Sequence, residues 1–245
     1  MDKMIVYEDN VLLVVHKPPG IATETAKAGK ADLVSELKNY RERKGEETYI
    51  GVIHRLDQPV EGLLVFAKNT EAAKKLSARL QDGSLAKKYI ALAAGIPSAQ
   101  EGELIDYLWK DGRTNLSQVV SKDTKGAKEA RLCWKLLKHS DSGCKGGSSL
   151  IEITLFTGRH HQIRVQMSHA GHPLLGDIKY GSESSIALSK QYGLKSVALL
   201  ANELRFVHPV SGRHMEFSLG NSCWDMLLNA KPCVNSSNTN CSALK

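Results

Sequence analysis

No apolar run in this 245-residue chain approaches the roughly 18–20 positions that cross a bilayer, so a membrane-spanning helix is not expected. The opening, MDKMIVYEDN, lacks the basic-then-apolar order of a secretory leader. Cysteine is sparse and poorly placed for cross-linking: Cys133, Cys144, Cys223, Cys233 and Cys241 are odd in number and form no C-x-x-C pair. That pattern speaks against a disulfide framework and a cysteine zinc site, and fits reduced thiols in a cytoplasmic protein. Nucleotide motifs are missing as well. Gly29-Lys30 has no upstream glycine at phosphate-loop spacing, no G-x-S-x-G elbow occurs, and the glycines of 143–147 do not lead from a strand into a helix. No cofactor is implied.

What is present is an ordinary globular balance, 42% apolar and 24% charged, in a length that suits one large domain. Lys+Arg 33 against Asp+Glu 26 leaves +7, which tilts towards a polyanionic partner without deciding it.

Ile5–Tyr7 and Val11–Val15 read as strands around an Asp9-Asn10 turn, stopped by Pro18-Pro19-Gly20. Residues 30–44 read as an amphipathic helix with Leu33, Val34 and Leu37 inward and a solvated charged end, Tyr40-Arg41-Glu42-Arg43-Lys44. Leu63–Ala67 is a continuous apolar strand expected to be covered on both faces, and Asn69-Thr70 caps a helix whose Ala72, Ala73, Leu76 and Leu80 share one side. Lys88–Leu92, Glu129–Leu137 and Leu150–Phe156 read as strands, with irregular connections and short strands over 98–126 and a hairpin loop at 141–149. Arg159–His169 has helical character, and Ala198–Phe206 and Met215–Leu219 flank a turn at His208–Gly212. There is no internal repeat. The mixture argues a single α+β domain over 1–222, followed by a partly disordered polar tail, 223–245.

Arg55 and Asp57 lie two apart on an extended segment just before an apolar strand, so they face the same way at the rim of a sheet. Residue pattern leaves two readings open: a surface ion pair of little energetic weight, or a cleft acid held ionised by cations. The wider context bears on the choice. Ile53-His54-Arg55-Leu56-Asp57, followed by Gly62-Leu63-Leu64-Val65-Phe66-Ala67-Lys68, resembles the signature of the RluA-type pseudouridine synthases. Lys87-Lys88-Tyr89-Ile90-Ala91-Leu92, Thr157-Gly158-Arg159-His160-His161-Gln162-Ile163-Arg164 and Gly171–Gly181 resemble that family's later blocks, in its order. The likeness runs from about residue 5 to 219. Gln58-Pro59-Val60-Glu61 departs from the Thr-Ser common there, although Asp57 and Gly62 keep their spacing.

The resemblance implies a bent, largely antiparallel mixed sheet with an RNA cleft across it. It implies uridine isomerisation on a base flipped out of its stack, in ribosomal or transfer RNA. Asp57 matches the catalytic carboxylate, Arg164 the cation that holds its charge, and Tyr89 the residue stacked on the base. Arg55 matches the side chain that fills the gap left in the RNA. His54, Arg159 and Gln162 are further candidates for substrate contact, His54 with a packed or substrate-shaping role. The first core-like strand begins near Ile5, so the S4-type RNA-binding domain of many relatives is not expected. RNA contacts would then come from basic residues of 38–44, 74–88 and 110–131. His160, His161, His169 and His172 lack the intervening acids or cysteines of a ligand set, so phosphate contact or polar packing is expected and no metal. A monomer is the default expectation.

Overall fold

The computed structural model describes residues 1–25, 30–141 and 147–220. The expected tail and Cys144, Cys223, Cys233 and Cys241 lie outside the described residues, as does most of the 141–149 loop. Cys133 is a half-buried free thiol.

Eleven strands form one sheet. The chain runs β1 (Ile5–Glu8), β2 (Leu12–Lys17), α1 (Leu33–Arg43), β3 (Gly51–Val52), β4 (Glu61–Ala67), α2 (Thr70–Gln81) and β5 (Ala86–Ala94). It continues with β6 (Glu101–Asp111), β7 (Leu116–Val120), β8 (Lys128–Ser140), β9 (Ser148–Leu155), α3 (Gln162–His169), α4 (Glu183–Gln191), β10 (Leu199–Val207) and β11 (His214–Ser218). Across the sheet the order is β1-β2-β4-β10-β5-β9-β8-β6-β7, with β3 added beside β4 and β11 beside β10. Every pairing is antiparallel except β4 with β10. The α+β class is as the sequence implies.

β4 shows why the sheet needs two covered faces. Gly62 to Ala67 are all buried. Leu64 and Phe66 join Leu13, Val15, Leu33 and Leu37 in one apolar cluster, while Leu63, Val65 and Ala67 join Leu12, Ala72 and Leu76 in another. Successive side chains of one strand therefore seal opposite layers, one closed by α1 and the other by α2. Each such large side chain contributes roughly 1.5–3 kcal/mol.

The helices begin at side-chain caps. Asp32 accepts from the Ser35 N–H at 2.7 Å, which starts α1 at Leu33 rather than at residue 30. Asn69 accepts from the Ala72 N–H at 2.8 Å, as expected. The far end of α1 is only partly the solvated face that its charges suggest, with Glu42, Arg43 and Lys44 exposed. Arg41 is buried and donates to the carbonyls of Tyr49 at 2.6 Å and Lys68 at 3.1 Å, and the Tyr40 hydroxyl donates to Glu8 at 2.8 Å. Unpaired carbonyls at strand ends need donors, and these charges supply them.

Two elements differ from expectation. The strands within 98–126 are longer than expected: β6 runs for eleven residues and pairs with β7. Asp106 breaks its apolar stretch Leu104–Trp109 and Ile105 is exposed, so neither a continuous run nor a regular alternation marks its length. α4 is serine-rich and rests on an N-cap, with Ser182 accepting from the Ser185 N–H at 3.2 Å; neither propensity nor an apolar stripe marks it. No described helix is long and apolar enough to cross a membrane.

The parallel β4–β10 contact explains the glycine five residues after Asp57. Gly62 has φ +136°, and a Cβ there would lie 2.5 Å from the Ala201 backbone. Gly62→Ala combines a disfavoured φ with a clash that backbone cannot relieve, so it should destabilise the fold by about 2–4 kcal/mol. Urea unfolding of the two proteins measures the difference.

Candidate active site

Asp57 lies in the segment between β3 and β4, and the end of β2 holds that segment in place. Pro18 ends β2 at Lys17, which is fully buried and aims its ammonium at the carbonyls of Ile21 (2.8 Å), Pro18 (3.0 Å) and Gln58 (3.2 Å). Three donors meet three acceptors. Burial lowers the Lys17 pKa to about 8, against the opposing pull of Asp57 and Glu61. The Thr23 hydroxyl donates to the Leu56 carbonyl at 3.0 Å and accepts from the Leu56 N–H at 3.1 Å. The Gly20 N–H donates to the Gln58 carbonyl at 2.8 Å. The catalytic-type segment is thus tied to residues 17–23 on both sides of Asp57.

Asp57 opens into a cleft of about 710 Å³, lined also by His54, Arg55, Lys87, Tyr89, Arg159 and Arg164. Its side chain is 26% exposed. Arg164, in the buried first turn of α3, donates from Nη1 to Asp57 Oδ2 at 3.0 Å. The other edge of the same guanidinium is held by Asp177, with Nε to Oδ2 at 2.7 Å and Nη2 to Oδ1 at 2.8 Å. Asp177 is 0% exposed. Burial opposes its charge, but the Arg164 bonds and the N–H groups of Lys179 and Tyr180 outweigh that and hold its carboxyl below the usual range. The Tyr180 ring lies against the guanidinium, 5.1 Å from centroid to Cζ. His161 comes within 3.7 Å of Asp57 Oδ2 through Nε2.

Tyr89 on β5 is buried at the cleft, and burial followed by the Asp57 charge keeps its hydroxyl protonated far above the ordinary tyrosine range. Lys87 lies two residues earlier on the same strand face and lines the same cleft. Burial lowers its pKa to about 8. Lys88 points away and pairs with Glu152 at 3.2 Å.

The structure therefore brings Asp57, Tyr89 and Arg164 together. Arg55 does not pair with Asp57: it is 68% exposed at the cleft rim and reaches Glu24 at 3.0 Å. Arg159 lies at the opposite rim, its Nε donating to the Glu129 carbonyl at 2.7 Å. His54 is packed, its Nε2 accepting from the Val65 N–H at 3.4 Å, and burial, with Lys87 adding to it, lowers its pKa to about 3. Gln162 lines the cleft with its polar atoms engaged within the protein. It is 3% exposed, its Oε1 accepts from Thr157 and from the Arg159 N–H, and its Nε2 donates to the Arg131 carbonyl and Gln166. It braces the turn into α3. Glu61, in the segment that departs from the Thr-Ser common in the family, faces His16 at 2.8 Å. Of the four histidines weighed as a cluster, His169 pairs instead with Asp106 of β6 at 3.2 Å, and His172 contacts the Ala94 carbonyl at 3.3 Å. Among the described residues, no group of three or more His, Cys, Asp or Glu is placed to hold a metal ion.

Lys17, Asp177 and Tyr180 were not read from the sequence as site residues. A lysine ending the apolar run LLVVH was a signal for the first. The need of a buried arginine for more than one carboxylate was a signal for the second.

A carboxylate steadied by a doubly anchored arginine lies beside a tyrosine in a cleft whose rim is basic. Comparison with known proteins gives the class. The family described as RNA pseudouridylate synthase matches residues 11–169. The chain belongs to this family, and to its RluA type, a family of isomerases acting on uridine in RNA. It is 37% identical over 221 residues to "Ribosomal large subunit pseudouridine synthase D" of Zymomonas mobilis, covering 87% of this chain and 67% of that protein. It is 31% identical over 237 residues to "tRNA pseudouridine synthase C" of Haemophilus ducreyi, covering 94% of this chain and 96% of that one. Among solved structures, "Human RNA Pseudouridylate Synthase Domain Containing 1" shares the fold, with a TM-score of 0.70 at 24% identity over 88% of this chain and 82% of that one. The chain spans 65% of the length of a Bacillus subtilis relative.

Asp177→Asn keeps the shape and removes the charge that balances Arg164. Breaking a buried pair costs about 3–5 kcal/mol, so the variant should lose stability on that order, read by urea unfolding. The sign with pH follows from the depressed carboxyl of Asp177. Its contribution is present above the unfolded carboxylate pKa and is lost as pH falls through the lower folded value, so wild type and Asp177→Asn should converge in stability under acid.

Proposed function

We propose that the protein converts specific uridines of structured RNA, ribosomal or transfer, to pseudouridine, with Asp57 as the catalytic carboxylate. The observation that carries this is the Asp57 carboxylate held by Arg164 in the cleft that also contains Tyr89. The reaction breaks the bond from uracil N1 to ribose C1′, turns the base and joins C5 to C1′, with the C5 proton lost and N1 protonated. Atoms balance within the substrate, and no redox partner or nucleotide energy is required.

Both contacts to Asp57 from Arg164 and His161 fall on Oδ2, which leaves Oδ1 for the sugar or base. Tyr89 offers a ring face to the base and a hydroxyl for proton transfer at C5. A uridine must leave its stack to reach this depth, at a cost of a few kcal/mol. Arg55, exposed at the rim and tied only to an exposed Glu24, is placed to take up the vacated position. Arg159 and Lys87 supply positive charge to the RNA backbone. The protein acts as a monomer in the cytoplasm on this reading.

Support for RNA as partner comes from the relatives, which are named for ribosomal and transfer RNA. Asp57→Asn should lower turnover by more than about 10³-fold while RNA binding persists; wild-type turnover in the variant would refute the assignment. Mapping pseudouridine in total RNA with and without the gene identifies the uridine.

Lys87→Ala should reduce the slope of log affinity against log salt by about 0.7–0.9, the value for one phosphate contact. Lys88→Ala, whose ammonium already meets Glu152, should change it less. Filter binding from 50 to 300 mM salt separates the two.

A further inference from the structure

We propose that His161 is a positioning residue for Asp57: a neutral imidazole whose proton Tyr180 confines to Nε2, so that an N–H is aimed at Asp57 Oδ2. The inference rests on the functional reading above and deepens it.

The argument follows the donors. The Ser117 backbone N–H on β7 can only donate, and it does so to the Tyr180 hydroxyl oxygen at 2.9 Å. That hydroxyl is 2.7 Å from His161 Nδ1. Tyr180 needs an acceptor for its own proton, and His161 Nδ1 is the one within hydrogen-bond reach among the described residues. Nδ1 is then bare, and the ring proton sits on Nε2. At that end Nε2 faces Asp57 Oδ2 at 3.7 Å. The opposite tautomer would set a lone pair against a carboxylate and leave the tyrosine proton without a partner. Both ends of the ring therefore select the same tautomer.

The surroundings hold the ring in place. His161 stands at φ +54°, the left-handed region, immediately before α3, which turns its ring back under the cleft. His160 stacks on it at 3.7 Å between centroids, and His160 Nδ1 meets the Ser117 hydroxyl at 2.9 Å. Ser117 thus fixes both histidines, one through its side chain and the other through Tyr180. The charged and titratable groups facing His161 are Asp57, Arg164, His160, Lys179 and Tyr180. Burial dominates among these influences and lowers the His161 pKa to about 4, against the opposing effect of Asp57. His161 is accordingly a donor and not a general base, since its one lone pair is engaged by Tyr180. At 3.7 Å the contact is longer than a hydrogen bond, as catalytic contacts often are before substrate tightens them. With Arg164 on the same oxygen, His161 fixes the carboxylate rotation that leaves Oδ1 free for the sugar or base.

Nitrogen-15 NMR of the histidine-labelled wild-type protein tests the tautomer without turnover. His161 should show protonated Nε2 and bare Nδ1 from pH 6 to 8; an Nδ1–H form or an imidazolium in that range overturns the proposal. Kinetics test the role. His161→Leu should lower kcat by about 100-fold, the scale of one lost aimed donor, with KM changed less than about threefold. His161→Gln, whose amide N–H can stand where Nε2 stood, should recover at least about tenfold of that loss. Tyr180→Phe keeps the ring against Arg164 and removes only the hydroxyl, and should lower kcat by roughly tenfold. Wild-type kcat in His161→Leu or Tyr180→Phe, or a glutamine variant no better than leucine, overturns it. If His161→Leu does not fold, the NMR result and Tyr180→Phe decide. A wild-type protein that forms no pseudouridine marks failure of the functional reading, whereas full turnover with the wrong tautomer marks failure of this inference alone.

Discussion

One buried guanidinium organises the molecule. Arg164 has little contact with water, and a cation in that position persists only when its donors are all met. Asp177 takes one edge with two bonds and Asp57 takes a single bond from the other. The division matters more than the pairing. Asp177 neutralises Arg164, so the three-group unit keeps one net negative charge, and that charge lies on the partly exposed member, Asp57. A lone arginine–aspartate pair would have left the unit with no net charge. The geometry of α3, the 171–181 segment and the Tyr180 ring can each be traced to keeping this arrangement closed.

The formal charge of the chain acquires a different meaning once its cations are located. Lys17 feeds three carbonyls, Arg41 ties α1 to the edges of β3 and β4, and Lys68 meets Glu8 and Glu46. None of these is available to a polyanion. The charge that faces the cleft comes from Arg55, Lys87 and Arg159, a small group set around one opening. An excess of +7 is thus a poor measure of nucleic-acid affinity in itself. Where the part of it that faces the cleft lies is the informative quantity.

How much of this was legible in the sequence depends on the distance over which each residue is defined. β4 and α2 were readable because an unbroken apolar run and an asparagine cap are local signals. Asp57, Tyr89 and Arg164 were readable because each sits in a compact block whose resemblance to a family is itself local. The length of β6 was not, since Asp106 breaks its apolar stretch and the exposed Ile105 spoils the alternation. Asp177 and Tyr180 stood inside a recognised block, yet nothing near them says that one balances an arginine and the other meets Ser117, 63 positions away. Gln162 and Arg55 mark the converse. Their blocks were recognised, but one side chain is turned into the protein and the other to Glu24, and only packing decides that.

The ties that build the Asp57 segment also have a temporal side. Thr23 to Leu56 spans 33 positions, Lys17 to Gln58 spans 41, and Asp57 to Arg164 spans 107. Loop closure makes long-range contacts slow to form relative to local helices and hairpins. On a ribosome, the sheet's first strands and both early helices emerge well before Arg164 or Asp177 exists as polypeptide. The hairpins around them can assemble vectorially, but the charged unit at the cleft cannot, because its members come from both halves of the chain. The charged unit is therefore completed late and in one step, and a partly synthesised chain holds Asp57 without the arginine that pairs with it.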